Sequence, residues 1–440
     1  MRDTWTPRPV RVPASRVARL GRLGSMATGI AGGMALEGVR HLSRGARPSY
    51  RGLLLTPGNM TRLANELAQM RGAAMKVGQL LSMDAGELLP PELSEILSRL
   101  RADAHFMPPR QLKSVLNANW GTAWLGQFER FDTRPVAAAS IGQVHRVRRR
   151  SGEDLAVKVQ YPGVVDSIDS DVRNVGALLR MSGLLPAGLD LAPYLEEARG
   201  LLRAEADYQA EAGHLETFGG LLADDPAFVV PRLYPEWTTP RILAMSFMPG
   251  RPIEETADTP QETRDRIATA LIRLTLREVF EFGMMQSDPN FANYRYDDRT
   301  GRIVLLDFGA TRVLDPDLVD LYRRLAQAGR DGDRGAVVAC LAAIGFLDDG
   351  VLPDLADRVV AMAGRIFDAV LGAGHFDFAE TALSTELNAE GMALAEAGYF
   401  PTALPMDALY LQRKFGGMFL LARRLGARVP LRRIVDEVLG

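Results

Sequence analysis

The chain has 440 residues, of which 47% are hydrophobic and 24% are charged, and its formal net charge is -2 at pH 7. This length predicts two or three packed domains, and the composition is that of an ordinary globular protein. The near-neutral charge gives no general attraction to nucleic acid, so we expect no nucleic-acid partner. Cys340 is the only cysteine, which excludes an intrachain disulfide and favours a reducing compartment.

The amino-terminal segment, residues 1–47, is basic and contains a short apolar run. Six arginines and one acidic residue precede position 37. The apolar run at residues 23–36 carries Gly29 and Gly33, whose spacing allows two helices to approach closely. As a helix this run would be about 21 Å long, which is shorter than the ~30 Å hydrocarbon core of a bilayer.

Three interpretations of this segment are open. We favour a helix that lies in a membrane surface or dips into it, with the arginines attracted to anionic lipid and with Gly29 and Gly33 available to a second copy of the chain. The same small residues would also suit a tight pair of helices in a soluble protein. A signal peptide is disfavoured because the run begins late and Glu37 follows it without a convincing cleavage site. The favoured interpretation predicts peripheral attachment to the cytoplasmic face of a bacterial inner membrane, or to an equivalent matrix-like surface.

The next stretch, residues 48–127, reads as a helical extension. Leucines and methionines recur at helical spacing from residue 61 to about residue 125, for example at Leu67 and Met70. Proline pairs at 90–91 and 108–109 are each predicted to start a helix.

Strand-like sequence begins near Phe128. Residues 143–150 alternate in polarity, Ser151 and Gly152 predict a turn, and residues 154–160 return as a second strand of a hairpin. We expect helices over residues 164–181 and 191–218 and short strands over 229–233 and 241–247. From residue 261 the pattern is mainly helical, which predicts an α+β fold with a small mixed lobe followed by a larger helical lobe.

Residues 286–309 carry the most informative pattern of the chain. Asp288 is followed five positions later by Asn293, and an Asp-Phe-Gly turn begins at Asp307. This order resembles the catalytic loop and metal-binding turn of protein kinases, and residues 302–306 read as the strand that leads into the turn. Phosphoryl transfer needs a carboxylate near the nucleophile, and an amide oxygen and a second carboxylate on Mg²⁺. We therefore predict that Asp288 is catalytic and that Asn293 and Asp307 bind Mg²⁺ with ATP.

Lysine is rare in this chain, with four examples, so each position that retains it is informative. Lys158 lies in a run that matches the Val-Ala-Ile-Lys strand of kinases, whose lysine holds the α- and β-phosphates of ATP. Glu211 falls where kinases place the helix glutamate that pairs with this lysine, so we predict a catalytic Lys158–Glu211 ion pair. A solvated lysine and a solvated acidic helix are the alternatives.

Lys76 lies on a helical stretch that has no counterpart in an ordinary kinase. Glu205 and Asp207 are two positions apart on a predicted helix and would therefore face different partners. We predict that Lys76 forms a regulatory contact with Glu205 or Asp207.

Residues 135–143 occupy the place of the glycine-rich loop of kinases but are rich in alanine. Alanine makes a stiffer loop than glycine while still leaving room for a phosphate beside the backbone. We predict nucleotide contacts along this loop from Val136, Ala137, Ala138, Ala139 and Ser140.

Five linked motifs together resemble the UbiB family of atypical, protein-kinase-like proteins, in the branch that supports coenzyme Q (ubiquinone) biosynthesis. They are Lys-Val-Gly-Gln from Lys76, the Ala-rich loop ending at Ser140, Glu-Ala-Asp from Glu205, Gln-Ser-Asp-Pro-Asn from Gln286 and Asp-Phe-Gly-Ala-Thr from Asp307. The resemblance covers roughly residues 10–440 and implies ATP binding, ATPase activity, membrane association and little or no phosphorylation of proteins. It places the extension over the site where a protein kinase binds its peptide.

The resemblance also assigns further residues and boundaries. It implies regulatory roles for Gly78 and Gln79, and adenine contacts at a hinge formed by Met245, Ser246, Phe247 and Met248. Ser246 stands where an acid is common in the family. The expected fold is bilobal and protein-kinase-like, with the basic tail at 1–47, the extension at 48–127, the small lobe at 128–250 and the helical lobe at 251–440.

Two other functions compete with an ATPase or atypical kinase that supports ubiquinone synthesis. A conventional Ser/Thr protein kinase is disfavoured because Gln286 and Ser287 replace the usual His-Arg, and because nothing after Thr311 resembles Ala-Pro-Glu. A non-catalytic nucleotide- or lipid-binding scaffold is disfavoured because it would not need both metal ligands. The expected partners are ATP, anionic lipid, and quinone precursors or proteins of ubiquinone synthesis.

Overall fold

The structure, a computed structural model, describes residues 64, 67, 70–84, 106–182, 190–347, 350–372, 374–399, 401 and 404–440. The chain divides into two compact units, one of Met1–Gly213 with Arg232–Phe247 and one of His214–Pro231 with Met248–Gly440. Predictions about residues 1–63 and 85–105, including the basic tail, the glycine-bearing run and the prolines at 90–91, lie outside the described residues.

The first unit contains an antiparallel sheet. Its strands are β1 (Phe128–Phe131), β2 (Ala137–Ala138), β3 (Gly142–Arg149), β4 (Asp154–Gln160) and β6 (Ile242–Ser246), in the order β1-β3-β4-β6 with β2 beside β3. The predicted hairpin is therefore confirmed as β3 and β4, and Gly152 occupies its turn at φ 98°.

Aromatic side chains fill the core beneath this sheet. Helix α2 (Pro109–Trp120) starts at the second proline of the pair 108–109, as predicted, and buries Leu112 and Leu116. These leucines pack with Trp124 and Phe128 in one apolar cluster that also contains the inward residues of β4. This burial, rather than helix propensity, holds α2 in place.

Among the described residues, four further helices belong wholly or partly to the first unit, and two of them were predicted as one helix. Helix α1 (Arg71–Asp84) packs against α3 (Val164–Ser182) and α4 (Ala192–Glu205). The prediction of a single helix over residues 191–218 is wrong, because the first helix ends at Glu205 and a second, α5 (Tyr208–Leu221), begins at Tyr208. Asp207 causes the restart, since its Oδ1 accepts hydrogen bonds from the N–H groups of Gln209 and Ala210 and so caps α5.

In the second unit, two antiparallel strand pairs bring two loops side by side. Strand β8 (Met284–Gln286) pairs with β11 (Thr311–Val313), and β9 (Tyr294–Asp297) pairs with β10 (Arg302–Leu305), both antiparallel. The loop between β8 and β9 and the loop between β10 and β11 therefore meet at the same end of the strands.

Two short strands extend the sheet around β10 and β9. Strand β5 (Phe228–Val229) runs parallel to β10, and β7 (Arg251–Pro252) pairs with β9. The strand predicted over residues 229–233 is wrong in its extent. It ends at Val229 because Pro231 cannot donate a ladder hydrogen bond, and Leu233 makes only an isolated bridge to Met245 within the first unit.

Helices dominate the rest of the second unit, as predicted. In chain order they are α6 (Gln261–Phe280), α7 (Pro316–Asp331), α8 (Arg334–Ile344), α9 (Pro353–Leu371), α10 (Leu383–Glu396), α11 (Met406–Leu425) and α12 (Leu431–Leu439), with the strands β12 (Phe376–Asp377) and β13 (Arg428–Val429) between them. Helix α6 packs against α11 and α12. The predicted α+β class is confirmed. In the described ranges, none of the helices has an apolar stretch of the length that a bilayer crossing requires.

Candidate active site

The predicted Lys158–Glu211 ion pair is present in the first unit. Lys158 lies in the middle of β4, opposite Val144 of β3 and Leu243 of β6, and Glu211 lies in the first turn of α5. The Nζ atom of Lys158 lies 2.9 Å from both carboxylate oxygens of Glu211. The lysine side chain is 9% exposed and the glutamate 1%, so water screens this pair weakly.

Tyr208 supports this pair from the start of α5. Its fully buried ring lies 5.2 Å from the Nζ atom of Lys158, within range of a cation–π contact. The capping of α5 by Asp207 therefore has a consequence for the site, because it fixes both Tyr208 and Glu211 against the lysine strand.

Lys76 reaches one of its two predicted partners. Its ammonium forms an ion pair with Glu205, and the hydroxyl of Ser140 donates a hydrogen bond to the same carboxylate. Helix α1 passes close to the Ala-rich loop, since a Cβ added at Gly72 would lie 3.0 Å from the carbonyl oxygen of Ser140. Lys76, Glu205 and Ser140 thus join the extension to the loop within the first unit.

Three regulatory candidates remain, namely Gly78, Gln79 and Asp207. Gly78 is buried on α1, and Oε1 of Gln79 is buried without a hydrogen-bond partner among the described residues. Asp207 caps α5 through its Oδ1, which gives it a structural task that the sequence interpretation missed. The local signal was available, because aspartate is a favoured residue at a helix start.

The Ala-rich loop is a small hairpin rather than an open cradle. Val136 donates its N–H to the carbonyl oxygen of Val144, and Ala139 donates its N–H to that of Gly142. Ala137 and Ala138 form strand β2 against β3. Several backbone groups of the loop therefore already serve the sheet, and the nucleotide contacts predicted for this loop stay a prediction.

The predicted hinge lies at the end of β6. Ser246 exchanges two hydrogen bonds with Arg232, through its N–H and through its hydroxyl oxygen. Phe247 donates its N–H to the carbonyl oxygen of Asp154, and Arg146 lies 4.4 Å above its ring. Met245 is buried in the first unit, whereas Met248 is the first residue of the longer segment of the second unit. The adenine contacts assigned to these four residues stay a prediction.

The second unit brings together the three residues of the predicted phosphoryl-transfer machinery. Asp288 and Asn293 lie in the loop between β8 and β9, where the amide nitrogen of Asn293 donates to the carbonyl oxygen of Asp288 at 3.2 Å. Asn290 caps the short turn Phe291–Asn293 by accepting from the N–H of Ala292. These bonds fix the loop. Because the side-chain nitrogen of Asn293 already donates to Asp288, the side-chain oxygen of Asn293 is the atom that would bind a cation.

Asp307 lies in the neighbouring loop between β10 and β11. Its Oδ1 accepts from the N–H of Gly309 at 3.0 Å, and its carbonyl oxygen accepts from the amide nitrogen of Gln286. Phe308 is buried, with its ring 5.2 Å from that of Phe218. The loop is therefore anchored by an apolar side chain and presents Asp307 from a fixed backbone.

Helix α11 adds residues that the sequence interpretation did not assign to the site. Arg413 lies 3.1 Å from Oδ1 of Asp288, although 125 positions separate the two residues. Lys414 is enclosed, with its Nζ 2.8 Å from Glu278 of α6 and 3.3 Å from the hydroxyl of Tyr294. Burial disfavours the charge on Lys414, but Glu278 and Tyr294 together outweigh burial and raise the pKa of the lysine.

Comparisons with known proteins agree with this arrangement. A family model described as the ABC1 atypical kinase-like domain matches residues 99–341. The mitochondrial atypical kinase COQ8 of Saccharomyces cerevisiae is 40% identical over 97% of this chain and 85% of its own length. The mitochondrial atypical kinase COQ8B of Rattus norvegicus is 37% identical over 97% of this chain and 81% of its own length.

A solved structure shows a similar fold. The complex of Rv3197 with erythromycin from Mycobacterium tuberculosis aligns with a TM-score of 0.61 and 25% identity, over 86% of this chain and 96% of that chain. The predicted kinase-like fold is thereby confirmed, and the chain is an ATP-dependent kinase-like enzyme. The protein belongs to the family of ABC1 atypical kinases, also known as UbiB, in the coenzyme Q branch that contains the COQ8 proteins.

Proposed function

We propose that this protein is a Mg²⁺-dependent ATPase, or an atypical kinase of a small molecule, that supports ubiquinone synthesis at a membrane and phosphorylates proteins little or not at all. The observation that carries the proposal is the Lys158–Glu211 pair. Both carboxylate oxygens lie 2.9 Å from the ammonium, so the lysine is held at one point on an interior strand of the sheet. A lysine fixed in this way suits a nucleotide phosphate, which it binds as a point charge.

The second unit supplies the residues that would act on the phosphoryl group. Asn293 and Asp307 offer an amide oxygen and a carboxylate, which are the hard donors that Mg²⁺ prefers, and nucleotide phosphates would complete the shell. Bound Mg²⁺ neutralises phosphate charge during transfer. Asp288 would orient an attacking hydroxyl or water and accept its proton.

Two features support an atypical enzyme over a conventional protein kinase. Gln286 and Ser287 tie the catalytic loop to the Asp-Phe-Gly loop, since Gln286 donates to the carbonyl oxygen of Asp307 and Ser287 donates twice to that of Ala310. The Lys76–Glu205 pair also holds α1 against the Ala-rich loop in the first unit, and we propose that this contact is regulatory.

The test is ATP turnover by the full chain, with Asp288→Asn as the active-site variant and Asp298→Asn as its matched control on the exposed turn after β9. We expect metal-dependent release of phosphate by the native protein and by Asp298→Asn. We expect a loss of about 10²-fold or more in Asp288→Asn, because a positioned proton acceptor contributes this much. Background turnover by all three proteins would support the scaffold alternative instead, and native turnover by Asp288→Asn would overturn the role proposed for Asp288.

The second substrate is tested in the same assay. We expect quinone precursors or anionic lipid vesicles to raise turnover more than a generic protein substrate such as casein does. Efficient transfer of labelled phosphate to the protein substrate would favour the conventional kinase and contradict the proposal.

Membrane attachment needs its own measurement, because residues 1–63 lie outside the described residues. We propose that the basic tail binds anionic lipid, with each arginine near the surface contributing about 1 kcal/mol. Deleting residues 1–38 should release the protein from phosphatidylserine vesicles, while nucleotide binding persists. Undiminished vesicle binding by the truncated chain would place the attachment surface elsewhere. Binding of the native chain should also weaken at high salt.

A further inference from the structure

Helix α11 forms a fixed support for the loop that carries Asp288. Three of its residues lie within about one turn of each other and contact that loop or the strand after it. Arg413 lies 3.1 Å from Asp288, Lys414 lies 3.3 Å from the hydroxyl of Tyr294, and Gly417 faces Pro289. A Cβ added at Gly417 would lie 2.4 Å from the Cβ of Pro289, so the helix and the loop are in close contact.

The contact between Arg413 and Asp288 is only partly open to water. The arginine side chain is 15% exposed and that of the aspartate is 19% exposed, so solvent screens the pair less than it screens a surface salt bridge. The backbone of Arg413 is fixed by its neighbour, because the Lys414 side chain is 1% exposed and lies 2.8 Å from Glu278. Arg413 therefore approaches Asp288 from an anchored position.

The contact uses one oxygen of the carboxylate. The distance of 3.1 Å joins Nη2 of Arg413 to Oδ1 of Asp288 and leaves Oδ2 outside this contact. A guanidinium is planar and has fixed directions for its N–H groups, so it defines the orientation of the carboxylate as well as its charge. The carbonyl oxygen of Asp288 accepts a hydrogen bond from the side-chain amide of Asn293, which fixes the main chain of the loop.

We infer that Arg413 is a positioning residue that orients the Asp288 carboxylate for phosphoryl transfer. This inference rests on the proposed function, in which Asp288 accepts the proton of the attacking group. Arg413 touches neither nucleotide nor metal in this role and acts only through Asp288. Its loss therefore lowers the rate of the chemical step and leaves the affinity for ATP unchanged.

The test is a double-mutant cycle on the full chain, with Arg413→Met, Asp288→Asn and the double variant. Turnover, the KM for ATP and the thermal unfolding midpoint are measured for each. We expect Arg413→Met to lower kcat by roughly 10- to 100-fold with an unchanged KM, because misplacing a reacting group costs about this much. In the Asp288→Asn background the same change should cost less than about twofold, because the group through which Arg413 acts has been altered.

Two further variants keep the test decisive. Arg423→Met removes another arginine of the same helix, whose contact is with the hydroxyl of Ser384, and should leave kcat unchanged. Arg413→Lys keeps the charge without the planar group and should give an intermediate kcat. If Arg413→Met does not fold, Arg413→Lys takes its place in the cycle.

The outcomes separate the inference from the proposed function. Native turnover in Asp288→Asn would overturn the proposed function. A loss in Asp288→Asn combined with native or raised kcat in Arg413→Met would overturn the inference alone. Equal losses from Arg413→Met in both backgrounds, or a loss that follows only the unfolding midpoint, would show a structural role and also overturn it.

Discussion

Among the described residues, each unit has a lysine–glutamate pair with both side chains at least nine-tenths buried, and the two pairs differ in what encloses them. In the first unit, Lys158 contacts both oxygens of Glu211, and its side chain keeps 9% of its exposure. In the second unit, Lys414 is 1% exposed, Glu278 is fully buried, and the hydroxyl of Tyr294 is a third partner. The first ammonium keeps a small contact with solvent, whereas the second is enclosed by protein.

The difference separates a lysine for binding from a lysine for structure. A buried pair contributes little net stability compared with apolar residues of similar size, but breaking it by removing one partner is costly. Both lysines share this cost. We expect that replacing Lys158 also lowers ATP turnover, even when the replacement keeps the positive charge.

The largest expected effect is on stability, from Lys414→Met. This change leaves the Glu278 carboxylate buried without its ammonium, and we expect the free energy of unfolding to fall by about 3–5 kcal/mol. The double variant Lys414→Met with Glu278→Leu removes both charges and should recover most of this loss. Urea unfolding measures both values, and a double variant no more stable than the single one would show that the pair itself supports the fold.

The next effect is a pH dependence that belongs to the first unit. In buried His145, Nε2 lies 2.8 Å from the amide nitrogen of Gln143, and Nδ1 lies 2.7 Å from the carbonyl oxygen of Asp132. These partners fit a neutral ring that is protonated on Nδ1. Burial lowers the pKa of His145 from 6.5 to about 4. Because the pKa of His145 is lower in the folded state than in the unfolded state, protonation of the unfolded chain lowers the free energy of unfolding below pH 6.5. The contribution is fully present above pH 6.5, and its loss, of up to about 3 kcal/mol, is complete as the pH falls through 4.

Unfolding at pH 7 and pH 4.5 tests this dependence against a variant without the imidazole. His145→Gln retains one donor and one acceptor but cannot gain a proton in this range. We expect the acid-induced loss of stability to shrink in this variant. A loss of the same size in both proteins would assign the acid sensitivity to other groups.

Lys158→Arg should lower the activity of the protein rather than its stability. Arginine keeps a positive charge beside Glu211, but its planar group places that charge differently from an ammonium. We expect ATP turnover to fall by about 10²-fold while the unfolding midpoint moves by only a few degrees. Lys113→Arg, at an exposed position on α2, is the matched control. Native turnover in Lys158→Arg would remove the functional distinction between the two buried pairs.

The smallest expected effect concerns Lys76. Lys76→Ala breaks the ion pair with Glu205 and loosens the Ala-rich loop through Ser140, so we expect turnover to rise by up to about tenfold. The unfolding midpoint should stay close to that of the native protein. Unchanged kinetics, or simple unfolding, would show that the contact is not regulatory.

The parts of the site that the sequence predicted are those with local signals. Lys158 lies in a recognisable strand, and Asp288, Asn293 and Asp307 lie in motifs whose spacing is set by the chemistry of phosphoryl transfer. The hairpin of β3 and β4 was predicted from alternation and a glycine turn. These signals extend over a few residues, so one sequence is enough to detect them.

The missed features depend on tertiary contacts or on competition between local preferences. Arg413 reaches Asp288 across 125 positions, and a helical arginine carries no sign of its partner. Residues 191–218 had the periodicity of one helix, but the capping preference of Asp207 and the bond from Gln160 to the carbonyl oxygen of Ala206 ended it. Pro231 similarly ended a strand that side-chain pattern alone would have continued.

In the proposed function, the Asp-Phe-Gly loop binds nucleotide through a metal ion held by Asp307. The most direct measurement is the affinity of the native protein and of Asp307→Asn for ATP, by calorimetry with and without Mg²⁺. We expect the native protein to bind ATP more tightly with Mg²⁺ and the variant to lose this metal-dependent gain, because Asn is neutral and a weaker ligand for a hard cation. Unchanged Mg·ATP affinity in Asp307→Asn would contradict the assignment of Asp307 as a metal ligand.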